Sequence, residues 1–286
     1  MSIDRLPADV TADLDLFPGG ERLLAEHAAE LPQKNDLCGA FWGCLALRQL
    51  GYEQTPDDGD VLDQDSVGTR AGSTLPLHPE EEELPPGEAG RTDYRLEFPL
   101  LEDTKKSGTS IQGAIRAVRA ISEEGVDAVT VAGPFETEDV RRIFAVMREV
   151  GSPGAVVLNV GTRYFWGAHP TGQQLADYLA SGDPSVGPGP DWDVGHFVGA
   201  AGTIQGAQGE LVLICDTYPT LGPGGLHLQP IENVAHALRR PDIPGDGGLV
   251  LYLPTEAAAE ARDRLAAQGF TIGMWDNGSP DALDAA

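Results

Sequence analysis

The sequence predicts an α+β fold. Segments with helical apolar spacing are scattered among strand-like runs, and two apolar runs near residue 200 flank a glycine-containing turn, as in an antiparallel hairpin. A segment near the N-terminus is apolar on every side, which marks a buried helix. With 286 residues the chain can bury a sizeable core. One domain spanning 1–286 is expected, with an elaborated, partly loop-like insertion over about 52–110.

The elements follow in order. ERLLAEHAAEL (21–31) has apolar residues at helical spacing. After the polar turn PQKND, LCGAFWGCLALRQLG holds the buried helix, closed by Gly51. Residues 53–108 look least ordered, because acidic runs such as Glu80–Glu83 alternate with Pro and Gly. This predicts early proteolytic nicking over 55–95. Order returns at SGTSIQGAIRAVRAISEEG, where Ser107, Thr109 or Ser110 can cap a helix. VDAVTVAG and AVVLNVG read as strands around the amphipathic helix ETEDVRRIFAVMREVG, and TGQQLADYLASG as a short helix before a Gly/Pro-rich loop over 182–194. The hairpin HFVGAAGT/ELVLICD follows, with its turn centred near Gly206. IENVAHALRR, GLVLYLP, TEAAAEARDRLAAQG and FTIGMW alternate as helix, strand, helix and strand, and DNGSPDALDAA is expected to fray.

Composition excludes several functions. A net charge of −26 opposes nucleic acid and anionic membranes, so neither is expected as a partner. The first residues lack the charged start and apolar run of a signal peptide, and no stretch is apolar over the length of a membrane span. A cytoplasmic location is expected. Three cysteines do not build a disulfide framework, and without HExxH or CxxC pairs neither a metal nor a cofactor is expected.

Cys38 is the first candidate nucleophile. It stands at the first turn of the buried helix, where partial positive charge and free N–H groups favour a thiolate and offer donors to an oxyanion. In the hairpin, a register with His196 directly opposite Asp216 sets a carboxylate beside an imidazole. The carboxylate could hold the ring tautomer while the other nitrogen meets the thiol. Strand alternation sends Cys215 to the other face, and Cys44 belongs to the core. Gly39, Trp42, Trp192 and Gly195 are expected to line the substrate cleft. His27 and His236 are expected exposed or half-buried, His227 structural in a Gly-rich loop, and His169 either in a pocket or in a packed loop.

PQKNDLCGAFWGCLALRQLG resembles the nucleophile helix of papain-like cysteine peptidases, nearest the double-glycine leader peptidase and phytochelatin synthase branch. HFVGAAGTIQGAQGELVLICDTYP resembles the His and Asp strands of the same branch, in the same chain order. The resemblance implies a papain-like fold with Cys38 as nucleophile, His196 as general base and acid, and Asp216 as orienter. It implies Gln33 as the oxyanion glutamine, although the spacing to Cys38 is one residue short and leaves Asn35 as a substitute. The implied activity is cleavage of a peptide or amide-containing small molecule through an acyl-thioenzyme. Acyl transfer to an amine and an inactive binding or scaffold protein are the alternatives.

Overall fold

The computed structural model describes residues 6–57, 59–81, 83–244 and 246–283. In chain order the elements are α1 (Ala8–Thr11), β1 (Leu14–Leu16), α2 (Gly20–Glu30), α3 (Cys38–Gln49), α4 (Gln64–Ala71), β2 (Leu75–Pro76), β3 (Leu100–Leu101), α5 (Ile111–Ile121), β4 (Val126–Ala132), α6 (Thr137–Val150), β5 (Ala155–Gly161), α7 (Gly172–Ser181), β6 (Gly195–Gln205), β7 (Glu210–Cys215), β8 (Leu226–Pro230), α8 (Ile231–Ala237), β9 (Gly248–Pro254), α9 (Thr255–Ala267) and β10 (Thr271–Ile272).

The fold is α+β, as expected. Its main sheet runs β10-β4-β9-β5-β6-β7-β8, and every pairing in it is antiparallel. β1 takes over from β5 along the second half of β6. β2 and β3 form a separate parallel pair. Successive strand residues face opposite sides. Val157, Val250 and Leu213 therefore join one apolar cluster with α3 and α5, while Leu158, Leu251 and Ile214 join a second with α6, α8 and α9. Burial on both faces is why these strands read as continuous apolar runs. No helix among the described residues is long and apolar enough to cross a membrane.

α3 is buried along its length apart from Cys38 at its start and Arg48 in its last turn, which are partly exposed. It lies over β6, where Gly199 makes room for Trp42; a Cβ on Gly199 would sit 2.1 Å from the indole. The Trp42 Nε1–H donates to the Phe197 carbonyl at 3.1 Å, so a ring that alternation alone leaves unassigned is fixed in the core.

Parts of two segments expected to be loose are packed. Within 53–108, α4 is a buried helix whose cap is reciprocal: Asp63 accepts from Ser66 N–H, and Ser66 Oγ accepts from Asp63 N–H. Its polar composition hides its burial. Gln64 accepts from Lys34 N–H at 2.7 Å, and Asp65 forms a buried ion pair with Lys34 at 2.8 Å. Asp65 also accepts from the backbone of Arg95 and Leu96, so one carboxylate holds both the loop over 91–96 and the approach to Cys38. The tail is tied down as well. Asn277 accepts from Ile111 N–H at 2.9 Å and donates to Thr109 O, and Asp281 pairs with Arg116 at 2.5 Å.

Removing one partner of a buried ion pair leaves the other desolvated and alone. Lys34→Met should therefore lower the unfolding free energy by about 3 kcal/mol, measured by urea denaturation. A loss within error of zero would mean that the pair contributes nothing to holding the segment before Cys38.

Candidate functional site

The helix that carries Cys38 begins at the mouth of a cleft of about 340 Å³. Leu37, at its N-cap, supplies no side-chain acceptor to the leading N–H groups. Across the cleft, His196 is the second residue of β6 and only 3% exposed. Asp216 follows directly after β7 and is 1% exposed.

The hairpin register differs from the expected one. The turn spans 206–209, closed by Gly206 N–H to Gly209 O at 2.8 Å, and the register shifts between Ala200 and Gly202. Gly199 then pairs with Cys215, so the same ladder extended one step sets Val198, not His196, opposite Asp216. His196 lies two residues further along on the same face. Such diagonal neighbours are within reach of long side chains. The imidazole Nε2 meets Asp216 Oδ1 at 3.1 Å and Thr217 Oγ1 at 3.0 Å. Nδ1 is the ring nitrogen left over, and the Cys38 thiol acts on the ring by hydrogen bonding and by charge.

The electrostatics follow from these contacts. Burial disfavours the imidazolium, but Asp216 and then Cys38 outweigh it and raise the His196 pKa to about 10. Burial opposes the Asp216 charge too, yet His196 and His227 hold its carboxyl well below the usual range. Cys44 and Cys215 are buried, and burial pushes both thiols up.

Gln33 is 3% exposed and lines the cleft with Cys38. Its N–H donates to Thr217 O and its Nε2 to Tyr218 Oη, each at 2.9 Å. Tyr218 in turn stacks on His196, with ring centroids 6.2 Å apart and planes at 16°. Gln33 Oε1 is buried without a partner among the described residues. Asn35 does not reach the cleft. It anchors the loop at Arg91 instead, accepting from Arg91 N–H at 2.8 Å.

Trp192 and Gly195 line the cleft as expected. Trp192 meets His196 edge-on at 5.0 Å, and its Nε1–H donates to Glu83 O. Gly195 leaves space for the Arg240 guanidinium, which a Cβ would approach to 2.2 Å. Trp42 and Gly39 do not line the cleft. Trp42 is in the core, and the absent side chain of Gly39 admits Thr109, 2.9 Å from a built Cβ, rather than a substrate.

Several residues at the site escaped the sequence reading. His27 is buried, stacked on Trp42, with Nε2 2.6 Å from the Asp216 carbonyl; burial, partly offset by Asp216, lowers its pKa. His227 lies on β8, not in a loop, with Nε2 3.4 Å from Asp216 Oδ2. Asp36 lines the cleft, with Oδ1 accepting from Ser107 at 2.6 Å and Oδ2 buried and unpartnered among the described residues. His169 is exposed. The DTY run beginning at Asp216 was a usable signal, since Thr217 and Tyr218 both touch His196. Nothing comparable marks Asp36.

A family model described as a family of unknown function, DUF6885, matches residues 17–276. The chain belongs to that family. No curated protein matches it. The DUF6885 match takes in Gln33, Cys38, His196, Asp216 and His227, so nearly the whole cleft lies inside the family's span.

The two pKa shifts give stability a defined pH dependence. Asp216, with its pKa held down, contributes stability present above about pH 4 and lost as pH falls through its folded pKa. His196, raised to about 10, contributes stability fully present below about pH 6.5 and lost as pH rises through 10. The unfolding free energy of the wild type should therefore exceed that of Asp216→Asn most between about pH 4 and 6.5, and by progressively less toward pH 10. Denaturant unfolding of both proteins at pH 5 and pH 10 checks this, and an equal difference at the two pH values contradicts it.

Proposed function

We propose that this protein is a cysteine-nucleophile hydrolase of papain-like architecture that cleaves a peptide or amide bond through an acyl-thioenzyme. The observation that carries the reading is the arrangement in one cleft of Cys38 at a helix N-terminus and an imidazole whose Nε2 is occupied by a buried carboxylate, with Nδ1 left over. The pieces match the nucleophile, general base and orienter of a triad.

In this reading His196 takes the thiol proton and the Cys38 sulfur attacks the substrate carbonyl carbon. The developing oxyanion accepts from Cys38 N–H and from the Gln33 carboxamide. For Gln33 to donate, its amide turns by half a rotation: Tyr218 Oη then donates to Oε1, and Nε2 takes the position where Oε1 is now unpartnered. His196 passes its proton to the leaving amine. It next accepts a proton from water as the water attacks the thioester, releasing the acid and restoring the thiol. The imidazolium that Asp216 favours is also the form that stabilises a thiolate.

Hydrolysis is favoured over transfer to an amine because of the cleft walls. Transfer would draw on a dry aromatic cleft with Phe165, Trp166 and Trp192; Trp192 does line the main cleft, but Phe165 and Trp166 border a second, small cavity. The main cleft instead presents polar groups such as Asp36, Asn159, Lys105 and Arg240. A scaffold role leaves unexplained why all three chemical groups converge on one cleft.

Three measurements test the proposal. Cys38 should be the fastest thiol to react with iodoacetamide at about pH 6–7, read by peptide-resolved mass spectrometry. Equal labelling of the three cysteines, or Cys215 reacting first, would overturn the reading. Asp216→Asn should remain folded and lower the Cys38 acylation rate by about 10–10³-fold, less than in a serine triad because a thiolate needs less help from a base. Cys38→Ser should remove nearly all activity at almost unchanged stability.

A further inference from the structure

Asp216 presents two oxygens, and only one of them serves His196. The other is approached by His227, and the state of that ring can be read from its neighbours. Gln229, fully buried on β8, accepts from Trp166 N–H at 2.7 Å through Oε1 and donates to Trp166 O at 3.0 Å through Nε2. Reversing this amide would set its NH₂ against an N–H and its carbonyl against a carbonyl, so the orientation has one chemical solution. The second Nε2 proton therefore points at His227 Nδ1, 2.9 Å away. Nδ1 must accept, which leaves the ring proton on Nε2, facing Asp216 Oδ2 at 3.4 Å.

We propose that His227 is a positioning residue for the Cys38–His196–Asp216 site, locked by Gln229 as a neutral, Nε2-protonated ring that anchors the free oxygen of Asp216. The proposal rests on the functional reading above. The result is a directed chain of hydrogen bonds from the Trp166 N–H through Gln229 and His227 to Asp216, which accepts from His196 on its other oxygen. Oδ1 receives Thr217 N–H at 2.7 Å and the His196 ring, and Oδ2 receives His227. A carboxylate with donors on both oxygens cannot rotate about its Cβ–Cγ bond without losing one, so the His196 ring is held in plane. The other titratable groups around Asp216 are His27 from α2, on the Asp216 carbonyl, the buried Cys215 thiol of β7, and Asp191, which lines the same small cavity and accepts from Ala168 N–H, with Cys38 of α3 beyond His196. None of these touches Oδ2 among the described residues.

The lock has spectroscopic consequences that need no substrate. Long-range proton–nitrogen correlation spectra of histidine-labelled wild-type protein should give His227 as the Nε2–H tautomer at about pH 8. An Nδ1–H tautomer overturns the proposal. Gln229→Glu offers Nδ1 an acceptor and should make His227 an imidazolium at neutral pH. The new charge beside Asp216 should lower the His196 titration by about one unit or more. An imidazolium at His227 with an unmoved His196 titration also overturns it. Should Gln229→Glu fail to fold, His227→Gln and His227→Leu still decide the matter. Gln keeps an N–H donor and should retain Cys38 alkylation within about threefold, whereas Leu should lose about tenfold or more. Equal rates in the two variants count against a positioning role. A wild-type Cys38 that does not react overturns the functional reading, while the tautomer measurement still reports on the lock.

Discussion

The Asp216 carboxylate is the group on which the site depends. It is 1% exposed, in surroundings where an isolated charge would be neutralised rather than tolerated. It persists as an anion because the fold directs donors at it from several elements: Thr217 N–H from its own turn, His196 from β6 and His227 from β8. The two imidazoles come at fixed angles because His196 and His227 ride on strands of one antiparallel sheet. A change in strand register therefore alters the chemistry of the cleft and not merely its shape.

That dependence explains features that lie outside the cleft. α3 must lie close over β6 to bring Cys38 to the end of the strand that bears His196, and Gly199 allows it by giving Trp42 space. The segment before α3 carries Gln33 and Asp36 into the cleft, and it is held by groups from α4: Gln64 on Lys34 N–H and Asp65 on the Lys34 ammonium. The polar stretch after α3 is a brace for the segment leading to Cys38 rather than an appendage. The residues following Asp216 complete the frame, since Thr217 O binds Gln33 N–H and Tyr218 covers the His196 ring.

Much of this was legible in the sequence, and the gaps have physical causes. Most long helices and strands follow from periodicity, because apolar residues on a 3.6 or 2 repeat have few ways to be buried. The nearness of His196 to Asp216 was legible from a hairpin with a glycine turn. Its register was not, because the turn is centred beyond Gly206 and an irregularity near Ala201 changes the pairing count. α4 was missed because QDSVGTRA looks solvated; it is buried by an ion pair and hydrogen bonds that no local pattern encodes. β8 was missed because a five-residue strand after a glycine cluster resembles a loop, and with it went His227 and Gln229. Trp42 was expected at the substrate because it shares a helix with Cys38, whereas the space beneath that helix is set by a glycine on a distant strand.

The wall of the cleft is assembled from widely separated stretches of chain: the turn before α3, the segment leading to α5, the start of β6, Arg240, and finally Asn277 and Ser279. A polypeptide emerging from a ribosome carries the Cys38 thiol early and the imidazole and carboxylate much later. The side chain that caps α5 arrives after all of them. No nascent chain shorter than the point where Asn277 docks can present the finished cavity. The order of synthesis thus separates possession of the Cys38 thiol from possession of the cleft, and withholds the complete cavity from every unfinished chain.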